Sequence, residues 1–336
     1  MIFKKKKTAD DMMRRPLWQK ITAYALLVLV LINLGLGWYW SRTPDVFWVN
    51  EKPAGSGDVV GYATTDTLIR VAETLLDKPG GYLSNDVTPP SVFLDNIPNW
   101  EFGVLQQVRD LARVTRNDYS RSQSQSREDP DLAVAEQKFF FDNNSWILPR
   151  TESEYRAAIE GFRNYRDRLS GVEQADAQFF ARADNLREWL AQVEKRLGSL
   201  SRRLGDSVAH DVINTDLAGE RANDANTTLP DRVVVRTSWF EIDDVFFEAR
   251  GTAWALVHFF RAAELDFSSV LADKNAQASV RQIIRELEAS LGPLYSPMIM
   301  NGGGFGLFAN HSLVMANYLA RANSAIINLR ELLDEG

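Results

Sequence analysis

The stretch 179-FFARADNLREWLAQVEKRLGSLSRRL-204 decides the fold. Within it Phe179, Ala183, Leu186, Leu190, Val193, Leu197, Leu200 and Leu204 step by 4, 3, 4, 3, 4, 3 and 4 residues. Side chains at that spacing stay on one side of an α-helix, whereas a half-buried strand would alternate every second residue. Eight successive positions predict a long helix packed along an apolar seam. Counted from Gln174 to Leu204, that helix is roughly 45 Å long at about 1.5 Å per residue.

Just upstream, Tyr155, Ala158, Phe162, Tyr165 and Leu169 keep the same rhythm. They follow Thr151-Glu152-Ser153-Glu154, which fits a capping box: a hydroxyl at the N-cap and a carboxylate three residues on. Ser170-Gly171 supplies a turn between the two seams. Residues 151–204 therefore predict a long antiparallel helical hairpin.

Helical periodicity continues on both sides. Thr64 to Asp77 aligns Leu68, Ala72 and Leu75 before Lys78-Pro79-Gly80-Gly81 stops it. Trp100 to about Asn117 aligns Leu105, Val108 and Ala112, and Asp129-Pro130 opens a short helix with proline in its first turn. C-terminal helices are expected over 238–334. The first starts near Ser238 and aligns Trp239, Ile242, Phe246, Ala249, Ala253, Leu256, Phe260 and Ala263. The second carries Val280, Ile284, Leu287 and Leu291 up to Gly292-Pro293, and the third runs from about Asn310 to Leu333. In that last helix Ala316, Ala320 and Ile327 widen the apolar face, which places it in the middle of the bundle. Residues 82–99, with Pro89, Pro90 and Pro98, read as an ordered loop with Phe93 and Leu94 buried; 120–127 is a polar break, and 205–232 a loop or boundary. Val233–Val235 is one short strand candidate, and one strand makes no sheet. The expected fold class is all-α: an N-terminal transmembrane helix followed by an elongated helical bundle.

The transmembrane helix is Ile21–Trp40, 20 residues without a charge. Its length of roughly 30 Å matches a bilayer core. Trp18 lies at one end and Trp38, Tyr39 and Trp40 at the other, as interfacial aromatic belts require. The run ends in Gly-Trp-Tyr-Trp-Ser-Arg, a poor signal-peptidase site, so an uncleaved anchor is expected. Asn33 is the polar exception, read as a tolerated amide.

Charge gives the orientation. The chain of 336 residues has a formal net charge of −7, and its 38 basic residues are unevenly spread. Residues 1–20 hold Lys4, Lys5, Lys6, Lys7, Arg14, Arg15 and Lys20 against Asp10 and Asp11. Positive charge stays on the cytoplasmic side. The expected layout is a cytoplasmic basic tail (1–20), the anchor (21–40), a juxtamembrane linker (41–63) containing Gly55-Ser56-Gly57, and a periplasmic helical domain (64–336). With the basic residues so concentrated, the rest of the chain is acidic, which argues against nucleic-acid binding. The absence of cysteine excludes disulfides, thiolate metal sites and a cysteine nucleophile.

Candidate chemistry is sparse. Glu241, Asp244 and Glu248 share a helix face, but one nearly opposite the Trp239–Phe260 stripe, so they read as solvated acids. The run 301-NGGGFG-306 precedes the last helix, where glycine amides can meet an anion. It lacks the Gly-Lys-Ser/Thr ending of a phosphate loop, so a structural turn is the primary reading. Gly302, Gly303, Gly304, Phe305, Phe308 and His311 make the candidate partner or ligand loop. His311 and Ser312 adjoin in sequence without the frame of a nucleophile elbow. His258 is expected on a helix surface and His210 in a loop. No metal or cofactor pattern and no catalytic residue emerges.

The segments LLDKPGGYLSND (75–86), NIPNWEFGVLQQVRDL (96–111), DYSRSQSQSRED (118–129) and NGGGFG (301–306) resemble an uncharacterised proteobacterial family of single-pass inner-membrane proteins with a domain of unknown function. The resemblance implies a Gram-negative inner membrane and a periplasmic domain, and no activity. The resulting expectation is a non-enzymatic envelope scaffold or adaptor, bound to the bilayer through 21–40 and to a periplasmic or inner-membrane protein. The alternative is a cell-envelope hydrolase or glycan-binding module using Tyr82, Trp100, Trp146 and Trp239 to stack on sugars.

Overall fold

The computed structural model describes residues 17–49, 59–122, 128–171, 176–213, 232–294, 298–301 and 309–335. Among them are ten α-helices: α1 (Leu17–Trp40), α2 (Tyr62–Asp77), α3 (Asn96–Val114), α4 (Pro130–Phe139), α5 (Thr151–Leu169), α6 (Ala183–Gly205), α7 (Ile242–Asp266), α8 (Ser268–Asp273), α9 (Gln277–Ser290) and α10 (His311–Asp334). A π-helical turn (Thr115–Tyr119) extends α3, and a 3₁₀ turn (Ser91–Phe93) precedes it. Val233–Val235 does find a partner: β2 (Arg232–Val235) pairs antiparallel with β1 (His210–Ile213), so His210 lies in a strand.

The bundle is built around α7. Eighteen of its residues are buried, all round the helix, and it packs on α2, α3, α6, α9 and α10. The expectation that the last helix is central is therefore wrong. On α10 the seam Met315, Leu319, Ala322, Ile326, Leu329 and Leu333 is buried, but Ala320 and Ile327 face solvent.

The closest packing is between α3 and α7, which meet backbone to backbone. A methyl group on Gly251 would sit 2.0 Å from the Trp100 carbonyl oxygen, and one on Gly103 would sit 2.1 Å from that of Glu248. Trp100 packs on Trp254 and Tyr119 on Phe267, so the two helices run in the same direction.

The seam from Leu186 to Leu204 is buried, but its partner is not α5. Leu186, Leu190, Val193, Leu197, Leu200 and Leu204 are buried against α10. The pair is antiparallel: Arg187 meets Asp334, Arg330 meets Glu194, and Ser201 Oγ donates to the Ala316 carbonyl at 3.0 Å. Helix α5 lies instead on α4 and α2. Along α2, Asp66, Glu73 and Asp77 bridge to Arg166, Arg163 and Arg156. Surface pairs of this kind stabilise weakly, but they fix the register. The predicted 151–204 hairpin fails as a packing unit because each arm has a better-matched neighbour elsewhere.

Tertiary contacts also displace two local expectations. Helix α6 starts at Ala183, not Gln174, because Phe179 packs on Tyr119 and Phe267 while the Phe180 N–H donates to the Tyr119 carbonyl at 2.7 Å. The capping box does not form. Arg150 is the N-cap, and the Thr151 hydroxyl donates to the Asp142 carbonyl at 2.8 Å while Glu154 pairs with Lys138. Asp129 does cap α4, accepting from the N–H groups of Asp131 and Leu132.

The glycine contacts make a clear test. Gly251→Ala should lower unfolding stability by about 3 kcal/mol, since the backbone of α3 must move aside. Gly198→Ala should leave it level or raise it by up to about 1 kcal/mol, because a methyl there meets only the Asn323 side chain, at 3.6 Å. Thermal unfolding of both variants, followed by circular dichroism, checks the contrast.

Candidate membrane-proximal site

Helix α1 spans 24 residues and is long and apolar enough to cross a membrane. Its side chains are almost all exposed; Ile21, Trp38 and Tyr39 point outward and Trp40 is half-buried. Asn33 satisfies its amide within the helix, donating to the Leu29 carbonyl at 2.9 Å. At its C-terminal end the Arg42 guanidinium lies 4.0 Å over the Trp38 ring.

The end of α1 rests on the domain. Trp40 packs on Gly80, whose φ of +89° and lack of a side chain admit the indole; a methyl there would lie 2.8 Å from the ring. The loop carrying Gly80 is held by a buried ion pair between Lys78 and Glu101. Lys78 also donates to the Gly81 carbonyl, and Glu101 accepts from the N–H groups of Leu83 and Ser84, each at 2.8 Å. A buried charge pair stabilises only when its remaining valences are met in this way.

The linker expectation changes most. Residues 45–48 lie against α2 and α7 as a strap, and a helix begins at Tyr62; residues 50–58, with Gly55-Ser56-Gly57, lie outside the described residues. The Phe47 ring stacks on His258 with centroids 3.8 Å apart, and the Phe47 N–H donates to His258 Nε2 at 3.0 Å. Around it, Trp254 Nε1 donates to the Asp45 carbonyl at 3.2 Å, Arg261 to the Phe47 carbonyl at 3.2 Å, and Arg70 to the Trp48 carbonyl at 2.9 Å.

His258 is thus no surface residue; it is fully buried. Its Nδ1 lies 2.7 Å from the Trp254 carbonyl and carries the proton, which leaves Nε2 free to accept from Phe47. Burial, reinforced by the charges of Arg261 and Arg70, drives its pKa down to about 3 against the opposing hydrogen bond to Trp254. Protonation would set an Nε2–H against the Phe47 N–H and break the clamp. The sequence held one signal of this role: His258 interrupts the unbroken apolar run Trp254–Phe260.

Other expected candidates scatter. Gly302, Gly303, Gly304, Phe305 and Phe308 lie outside the described residues. His311 opens α10, where its Nδ1 accepts from the Met300 N–H at 3.0 Å, beside the Asn310 side chain that caps the helix. The acid row is not simply solvated. Glu241 is exposed, but Asp244 is half-buried and accepts from Asn99 at 2.6 Å, while Glu248 bridges to Arg203 at 2.8 Å. Burial first, then Asp243, Asp95 and the other acids, raise the Asp244 carboxyl to about 6. Tyr82 and Trp100 are core residues, Trp146 and Trp239 are exposed, and Phe93 is 77% exposed instead of buried.

A polar cleft of about 370 Å³ lies between α3, α6 and α7, lined by Gln106, Gln107, Gln192 and Lys195 among others. Its carboxylates, Asp110 and Glu248, are bound to Arg196 and Arg203. The buried Gln107 amide has no hydrogen-bond partner at either atom.

These features define an all-helical domain carried on a single apolar N-terminal helix and strapped to it. The chain belongs to an uncharacterised protein family conserved in bacteria, DUF2333, whose family profile matches residues 12–336. No curated protein and no solved structure matches it.

The clamp has a pH signature. An unfolded His258 titrates near 6.5 and the folded one near 3, so the unfolded state binds more protons between those values and stability falls as pH drops through that window. At about pH 5 the loss attributable to His258 is about 2 kcal/mol relative to neutral pH. Asp244, raised in the folded state, has the opposite slope. The test is therefore a difference: His258→Gln should flatten the native acid loss by that amount across pH 7 to 5 in denaturant melts, roughly.

Proposed function

We propose that this is a single-pass inner-membrane protein that holds a helical periplasmic domain in fixed contact with its own anchor, acting as an envelope scaffold or adaptor for a periplasmic or inner-membrane protein. The observation that carries the reading is the strap. A tether that only localised an enzyme would have no need of residues 45–48 bonded along α2 and α7. A fixed orientation matters when a surface must meet a partner in the same membrane. The basic tail and the acidic remainder of the chain support the orientation of the span.

The rival reading, a cell-envelope hydrolase or glycan-binding module, draws on the cleft, where the unpartnered Gln107 amide offers hydrogen bonds to a polar ligand. Both carboxylates there are held by arginines. The cleft therefore favours binding over the paired acid–base chemistry that glycoside hydrolysis requires.

Because the chain has no cysteine, topology can be read with single introduced thiols. Ala272→Cys, in an exposed position, should react with a membrane-impermeant maleimide in spheroplasts, and Thr8→Cys only after lysis. Labelling in the reverse order, or release of the chain from membranes by alkaline carbonate, defeats the proposal.

A further inference from the structure

Several of the most exposed apolar side chains beyond α1 gather near the place where α1 meets the domain, while Trp48, 82% exposed, lies on the strap. Phe93 is 77% exposed, Leu148 90% and Phe240 85%, with Trp146 and Trp239 also open. They come from three separate segments that share one end of the bundle.

Each segment is tied to the anchor or to a neighbour of it. The loop bearing Phe93 touches the span itself: a methyl on Gly37 would meet Pro90 Cβ at 3.7 Å and Leu94 Cδ2 at 3.8 Å. Gly37 lies just inside Trp38–Trp40, so what packs on it lies at the depth of the aromatic belt. The loop bearing Trp146 and Leu148 hangs from residues 82–85, which follow the Trp40-bearing Gly80 turn. The Tyr82 hydroxyl donates to the Asn143 carbonyl at 3.1 Å, and Asn85 donates to that of Ser145 at 2.9 Å. The third segment, Trp239 and Phe240, leads into α7. The first turn of α7 adjoins the first turn of α3 through Asn99 and Asp244, and Trp239 shares a hollow with Asn96.

We propose that these three segments form an apolar collar that enters the interfacial layer of the bilayer around α1, giving the domain a second membrane contact. The proposal rests on α1 being a membrane span. Isolated apolar residues on a surface are ordinary, but aromatic and aliphatic tips clustered from distant parts of the chain mark an interaction site. Lipid is the occupant because the collar adjoins the span: any other partner would first have to displace the headgroup layer already there. Tryptophan and phenylalanine at that depth are the side chains that interfacial anchoring uses.

The test places an environment-sensitive fluorophore on single cysteines of the full chain in phosphatidylethanolamine/phosphatidylglycerol vesicles. Phe93→Cys, Leu148→Cys and Phe240→Cys sit in the collar, Leu29→Cys in the span, and Ala272→Cys in α8, beyond the far end of α7. The substituted collar positions are exposed, so folding should survive, and circular dichroism confirms it for each variant. With a nitroxide carried by the lipid near its headgroup, the collar labels should lose at least about half their emission while the Ala272 label loses none. Collar labels as watery as Ala272, with Leu29 in lipid, overturn the collar and leave the anchor standing. A watery Leu29 label overturns the anchor and the collar with it. Collar labels shielded from aqueous iodide yet untouched by the lipid nitroxide mean that a second copy covers them, which also overturns the proposal.

Discussion

A histidine kept neutral by its surroundings fastens the segment that follows α1 to the bundle. His258 uses one ring nitrogen to donate to its own helix and the other to accept from the strap, so both valences are committed and neither tolerates a second proton. Phe47 covers the ring, and Arg70 and Arg261 close the sides by binding the strap carbonyls. Helix α7 is thereby core, backbone scaffold and dock for the strap at once. Its Gly251 admits α3, its Trp254 touches Trp100 in the core and Asp45 in the strap, and its His258 fixes Phe47.

A second constraint lies beneath the C-terminal end of α1. The buried pair of Lys78 and Glu101 shapes the turn on which Trp40 rests, and Glu101 belongs to the start of α3. Helix α1 is therefore seated on the turn beside α3 and continues into the strap on α7, and those two helices are locked by their glycines. Movement of α1 relative to the bundle would have to lift Trp40 off the Gly80 turn and Gly37 off Pro90 and Leu94.

Most of the helices were legible in the sequence because their periodicity is local information. The seam of α6 and the core face of α7 follow directly from spacing. Spacing does not name a partner, however. The rhythm from Leu186 to Leu204 suits any apolar face, and α10 took it because Arg187, Glu194 and Ser201 meet complementary groups there. The all-round burial of α7 was harder to see. Its polar positions Arg250, Thr252 and His258 break the pattern, yet each is bonded inside: Arg250 to the carbonyls ending α9, Thr252 to Gly103, His258 to the strap. Burial of those residues is decided by partners up to about two hundred positions away, which no window of sequence contains. The strap was illegible for the same reason. Its proline and short polar run look like a linker until Phe47 has a histidine to stack on.

Helix α1 and the bundle should move as one body, and the distance between them reads this. Spin labels at Tyr39→Cys, on the outer end of α1, and Ala272→Cys, beyond α7, can be measured by pulsed electron resonance with the full chain in lipid nanodiscs. A single narrow distribution is expected, broadening when His258→Gln removes the clamp. A broad distribution in the otherwise native chain, as wide as in the His258→Gln variant, would contradict it.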